Sequence, residues 1–252
     1  MNEIIHLDSI YSQYVQPSND CFNARFVLDK PIENASRIYL KSLEMAINFN
    51  NIRNVGTMNQ IIMSTNLGNT YTVTIAQGNY TTMSSLLTVI NNAFVGVIPS
   101  TTVTFSVSGN TISVSATSST ITSFALKETI LSKYILGFRN VSFSGLTASA
   151  SVNYVLNIDN YILMYINNVS SDNTSSNGNI FSSFKIPLNA INGVIYYYSD
   201  QIGLKQYIRL LNSTQRISYL NVSILDRFGN VLIANNSDYS FSLEIEKNIN
   251  DI

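Results

Sequence analysis

Tryptophan is absent from these 252 residues, and cysteine and histidine occur once each. A single cysteine, Cys21, excludes an intramolecular disulfide and any cysteine-rich metal site. Its plain reading is a small, buried or half-buried thiol beside Phe22. A single histidine, His6, near the start of the chain, excludes a Ser-His-Asp or Cys-His set held on a rigid element, and it reads as solvated. Charge is also scarce. Charged residues make up 12% of the chain, about half the ~25% of an ordinary soluble domain. The 14 Lys and Arg nearly balance the 15 Asp and Glu. They are scattered, so there is no basic patch for specific DNA or RNA binding and no acidic tail. Long apolar runs are missing too. "YILMYI" at 161–166 falls far short of the ~20 residues of a membrane-spanning helix. The opening "MNEIIHLDSIYSQYVQPSND" has an acid at position 3 and no long apolar stretch. It does not read as a secretion signal, and synthesis in a cytosol is expected.

Amides and hydroxyls stand where the charges are missing. Asn and Ser each supply roughly 13% of the chain, in the place usually taken by Lys and Glu. Such a surface is less costly to desolvate than an ionic one, which suits a protein that buries much of itself against neighbours. AT-rich coding also favours Asn, Ile, Tyr and Phe. Lys is AT-coded yet scarce, which tilts the balance toward a selected neutral surface. Sequons such as Asn79-Tyr80-Thr81 and Asn221-Val222-Ser223 are expected by chance in this composition and are not read as a sign of secretion.

Period-two alternation dominates the chain. Residues 1–20 read as an arm ending at Pro17-Ser18-Asn19-Asp20. "CFNARFVLD" alternates Phe22, Ala24, Phe26 and Leu28 with polar or exposed positions, and Pro31 stops it. "RIYLKSLEMAINF" admits a helix through Leu43, Ala46 and Ile47, but Ile38, Tyr39, Ile47 and Phe49 favour a pleat. "NQIIMST" and "NTYTVTIA" form a hairpin about Leu67-Gly68. A turn at Gly78-Asn79 then leads into a helix. Thr81 or Thr82 caps it, Met83, Leu86, Leu87, Ile90 and Phe94 form its apolar stripe, and Gly96 and Pro99 end it. A second hairpin turns at Gly109-Asn110. "KETILSKYILGF" reads as a short helical piece stopped by Gly137. Further strands are expected at 150–157, 160–168, 181–187, 194–198, 216–226 and 239–247, with a polar loop at 169–180. Two strands before residue 50 and six after 150 make the eight of a jelly roll. The expected fold is therefore mainly β: a single jelly-roll β-sandwich of eight strands with an inserted α+β subdomain. Its parts are a 1–20 arm, a jelly-roll domain of 21–56 plus 146–252, and an insertion at 57–145.

No reaction chemistry stands out. Glu44, Glu128, Asp159, Asp172, Asp200, Asp226, Glu244 and Glu246 could in principle supply a pair of carboxylates for glycoside hydrolysis, but none sits in a distinctive motif. Asp226 heads a turn, where its side chain can bond the local backbone. Glu244 and Glu246 are two apart on one strand face, which is wet or docked on something polar. No nucleotide-binding loop or HExxH occurs. No catalytic residue, metal ligand or cofactor site is assigned. "IYYYSD" at 195–200 packs three tyrosines together, a composition that serves sugar sites and, more often, strands and protein interfaces.

Four stretches, in order, carry a resemblance. "TVTIAQGNYTTMSSLLTVINNAF" (72–94), "YILGF" (134–138), "FKIPLN" (184–189) and "SYLNVSILDRFGNVLIANNSDYSFSLEIE" (218–246) resemble segments of the minor capsid proteins of virophages, polinton-like viruses and their relatives. Each alone is only a turn or a strand; their order carries the likeness. The resemblance implies a penton, a single jelly roll forming homopentamers at the fivefold vertices of an icosahedral capsid. It would contact a double-jelly-roll major capsid protein, be located in the virion, and be made in host cytoplasm or a viral factory. It implies no enzyme activity, no cofactor and no particular contact residues, and it leaves a host receptor or glycan open as a further partner. The competing reading is a carbohydrate- or receptor-binding β-sandwich, a spike or adhesin head.

Overall fold

A computed structural model describes residues 2–14, 22–139, 145–169, 183–188, 194–201, 205–211, 215–233, 235 and 237–248. Cys21, Asp172 and nearly all of the expected 169–180 loop lie outside these residues. Within them the strands are β1 (Asn2–Asp8), β2 (Gln13–Tyr14), β3 (Asn23–Ala46), β4 (Gln60–Thr65), β5 (Thr70–Thr74), β6 (Thr101–Ser108), β7 (Thr111–Ser118) and β8 (Phe124–Leu126). They continue with β9 (Thr147–Ser149), β10 (Tyr161–Ile166), β11 (Ser183–Pro187), β12 (Ile195–Ser199), β13 (Tyr207–Arg209), β14 (Gln215–Leu225) and β15 (Tyr239–Lys247). A helix, α1 (Met83–Phe94), lies between β5 and β6, and a turn of π-helix spans Leu131–Ile135. The chain divides into two compact units, Met1–Phe49 with Asp159–Ile252, and Asn50–Ile158. The second is wider at both ends than the insertion expected at 57–145.

The first unit is a jelly-roll β-sandwich made from one curled antiparallel sheet, with strand order β1-β15-β3-β14-β10-β11 and with β2, β12 and β13 also paired to β3. Strand β3 does the curling. Its first half pairs with β14 and its second half with β15, so the two halves sit in facing layers. Phe26 of the first half and Phe22 just ahead of it meet Tyr239 and Phe241 of β15 edge-on, with ring centroids 5.1–6.1 Å apart. Such pairs add about 0.5–1.5 kcal/mol beyond the area they bury. The alternation in β15 is the expected one: Tyr239, Phe241, Leu243 and Ile245 are buried, and the residues between them are not.

The segments "CFNARFVLD" and "RIYLKSLEMAINF", read from the sequence as two strands, fall largely on one strand of 24 residues. Pro31 does not end it. The ladder to β14 slips between Tyr219↔Val27 and Ile217↔Ile32, so Pro31 sits in a bulge, where its missing N–H costs nothing. Asn34 follows with φ 56°. The stretch read as an arm contains β1, paired with β15 from Asn2↔Glu246 to Asp8↔Ser240, and β2, paired beside Arg25.

The second unit holds two three-stranded sheets, β5-β4-β8 and β6-β7-β9. The helix forms where expected. The Thr82 side chain accepts from the Ser85 N–H at 3.1 Å, and Met83, Leu86, Leu87, Ile90 and Phe94 make the buried stripe. The expected turn ahead of it is held by Asn51, which accepts from Tyr80 N–H (2.9 Å) and donates to Tyr80 O (2.8 Å). Gly137 ends the π-turn with φ +86°, and a Cβ there would lie 2.3 Å from the Val152 carbonyl oxygen. The strand expected at 150–157 is not one. Only Thr147–Ser149 pair as β9, and beyond it Ala150, Tyr154 and Val155 donate to Ile112, Asn110 and Ile135, three bonds that form no ladder.

Candidate functional site

The outward side of β1, β15, the second half of β3, β12 and β13 forms one broad face. The register sets its members. Residues opposite the buried Phe241, Leu243 and Ile245 point inward, so Asn2, Ile4, His6, Tyr39, Ser42, Glu44, Ser240, Ser242, Glu244 and Glu246 alternate outward. Tyr197 and Tyr207 join them opposite Glu44 and Tyr39.

Apart from Glu44, the carboxylates of this face are paired within the chain. One Arg37 nitrogen donates to both oxygens of Glu246 at 3.1 Å, and the Tyr39 hydroxyl donates to the same carboxylate at 2.8 Å. The Tyr39 hydroxyl first, then Arg37, holds the Glu246 carboxyl below the usual glutamate range, against the opposing pull of partial burial. Burial, reinforced by that bond, pushes the Tyr39 phenol up. Lys41 bridges Asp200 (2.6 Å) and Glu244 (3.3 Å), and the bond to Asp200 is the main reason its pKa is raised. Asn2 donates to Glu244 at 2.5 Å and is the largest cause of that carboxyl's lowered pKa. The Lys205 ammonium stands 4.4 Å from the Tyr39 ring centroid. The Ser242 hydroxyl meets His6 Nδ1 at 2.7 Å and Ser42 Oγ at 3.0 Å.

A face arranged in this way can be covered by another protein at lower electrostatic cost than a face of free ions, since its charges already have partners when water leaves. Of the eight acids singled out in the sequence, Asp172 lies outside the described residues, and Asp200 and Glu244 are brought together on Lys41. Glu244, Glu246 and Asp200 are bound to cations here, and Glu128 pairs with Lys133 in the other unit. Asp226 is fully buried and caps its own turn, accepting from Phe228 N–H (2.8 Å) and Asn230 N–H (2.9 Å). Asp159 is buried elsewhere. Glu44 is exposed. Among the described residues no three His, Cys, Asp or Glu side chains gather as a metal site.

The three tyrosines of 195–200 are divided by the pleat. Tyr198 is buried, Tyr196 is half-buried with its hydroxyl on the Pro187 carbonyl, and Tyr197 alone is exposed. Sequence reasoning identified Glu244 and Glu246 as sharing a wet or docked face. It named Asp200 only as a possible hydrolytic carboxylate, and it missed Arg37, Tyr39 and Lys41, whose only signal was the outward parity of Arg37 and Tyr39 in their own strand.

No family model and no curated protein matches the chain. Among solved structures it is similar along nearly its whole length to the crystal structure of selenomethionine-labelled mavirus penton protein. The TM-score is 0.49 and the identity 10%, covering 98% of this chain and 100% of that one. It is similar also to a chain in the cryo-EM structure of the Sputnik virophage, with TM-score 0.37, 12% identity, and 97% and 98% of the two chains covered.

Proposed function

We propose that this chain is a structural capsid protein, a penton whose five copies close a ring at the fivefold vertex of an icosahedral virion and meet a double-jelly-roll major capsid protein. The broad outward face of β1, β15, β3, β12 and β13 carries the reading. Its ions other than Glu44 are paired within the chain, their neighbours are amides and hydroxyls, and so it suits burial against protein. The ordered motifs that resemble minor capsid proteins support it further, because their residues are used as framework. Tyr80 locks a turn, Gly137 permits a close backbone approach, Ile186 is buried in β11, and Asp226 caps the turn before the last strand.

Mass photometry of the purified protein tests this. Five copies of 28.0 kDa give roughly 140 kDa for a closed ring. That species is expected alone or on addition of the major capsid protein, and immunolabelling should place it at particle vertices. A stable monomer that ignores the major capsid protein and binds glycans would favour the adhesin-head reading instead.

A further inference from the structure

Two patches at opposite ends of the first unit's strand order differ in sign and share an apolar centre. The first is a concavity of about 200 Å³ where β1, β15, β3 and β12 meet. Ile10 and Ile195 line it, 64% and 67% exposed, together with the carboxylates of Asp8, Glu44 and Asp238, and no lysine or arginine lines it. Asp8 is tied to Ile10 N–H and Asp238 to Ser9 Oγ. Glu44 has no hydrogen-bond or ion-pair partner among the described residues. Tyr197 stands across from it in register. Two large exposed aliphatic side chains rimmed by carboxylates form an apolar patch of the kind that marks a protein contact.

The second patch lies on the outward side of β14, β10 and β11. There Leu163 and Leu225 form a small cluster outside the main core, with Tyr161 and Tyr165 packed on it. Its rim is cationic. The Lys185 ammonium sits 4.3 Å and the Arg227 guanidinium 5.7 Å from the centre of the Tyr161 ring. The acids that adjoin it in sequence, Asp159 and Asp226, are both buried.

We infer that the anionic concavity around Ile10, Glu44 and Ile195 of one copy docks on the cationic Tyr161–Lys185–Arg227 patch of the next. The inference rests on the ring reading above and names its contact. Cyclic closure requires two different patches on each subunit, facing different neighbours. These two belong to strands at opposite ends of the order β1-β15-β3-β14-β10-β11. Opposite charge sets their register and disfavours like-to-like pairing, while the aliphatic and tyrosine centres lose water together. Apolar area alone would not choose between a second copy and any other protein; the match of sign within one chain does.

Charge swapping tests it. Lys185 and Glu44 are both exposed strand residues, so Lys185→Glu and Glu44→Lys should fold, as a thermal melt of each would verify. Mass photometry across a dilution series then gives the concentration of half-assembly. Each single variant is expected to raise it about tenfold or more. The double variant, carrying both changes in one chain, should recover most of that loss, because the pair at positions 44 and 185 is then opposite in sign again. If the wild type forms rings and both single variants do too at unchanged concentration, this contact is wrong while the ring reading stands. Single variants that fail without recovery in the double variant overturn the pairing as well. A wild type that never assembles, with or without the major capsid protein, overturns both.

Discussion

Replacing Gly137 by alanine tests whether the Leu-Gly-Phe motif is framework. Gly137 has φ +86°, a region where an L side chain costs about 1–2 kcal/mol. Space is the larger problem. The new Cβ would stand 2.3 Å from the Val152 carbonyl oxygen, almost 1 Å inside van der Waals contact. Neither partner can yield alone, since the Gly137 carbonyl accepts from Ser151 and Val152 N–H at 3.2 and 3.3 Å. Separating the two segments weakens both bonds, each worth about 1 kcal/mol net. The total is about 3–4 kcal/mol, a large share of the roughly 5–15 kcal/mol that holds a protein folded. Gly109→Ala is the control. It has φ +63° and nothing within 4 Å of the added Cβ, so only the backbone cost of about 1 kcal/mol applies. Urea unfolding followed by tyrosine fluorescence, the natural probe in a chain without tryptophan, measures both. A Gly137→Ala loss within about 0.5 kcal/mol of the Gly109→Ala loss would refute the close-approach argument, because the two sites share the strain and differ only in the obstacle.

Asp226→Ala should cost about 2–3 kcal/mol, since it leaves the Phe228 and Asn230 N–H groups without their acceptor; the same urea experiment reads it, and Asp226→Asn should recover part of the loss. Thr82→Ala removes the cap of α1 and should cost about 1 kcal/mol, with Thr82→Ser close to wild type. Glu244 and Glu246 have lowered pKa values when folded. Their contribution is therefore complete above the ordinary glutamate pKa and is lost as pH falls through the lower folded values. Carboxyl carbon NMR titration should place both midpoints below that of an unstructured glutamate, and Glu246→Gln should flatten the acid limb of the stability curve. Midpoints at or above the ordinary value would remove the paired-charge basis of the outward face.

Much of the local structure could be read from single segments. Strand β15 announces itself because one of its faces is wet, so Phe241, Leu243 and Ile245 alternate with Ser242, Glu244 and Glu246. Helix α1 does so because its cap, stripe and terminating residues fall within twenty positions of one another. Strand β1 gave no such signal: Asn2–Asp8 is held by a partner more than 200 residues away in sequence. Pro31 looked like a stop because proline cannot donate to a ladder. It is tolerated because β14 slips its register at that point, a property of the partner strand. The strand expected at 150–157 had suitable residues, but the backbone groups it meets are divided between two segments, 110–112 and 135–137.

Composition and periodicity by themselves determined that this would be a β protein with one short capped helix inserted, with a neutral amide-rich surface and without the histidines or cysteines on which much enzyme and metal chemistry relies. Those properties depend on residue type and on spacings of two to four, which a chain carries wherever it goes. Only the tertiary structure decided that the segments either side of Pro31 form one strand, that the first residues complete a sheet edge, and that Arg37 and Tyr39 hold Glu246 while Lys41 bridges Glu244 and Asp200 on a single face. Each of these is a choice of partner across a long sequence separation. Such choices are made by the register of one strand against another, which no strand encodes alone.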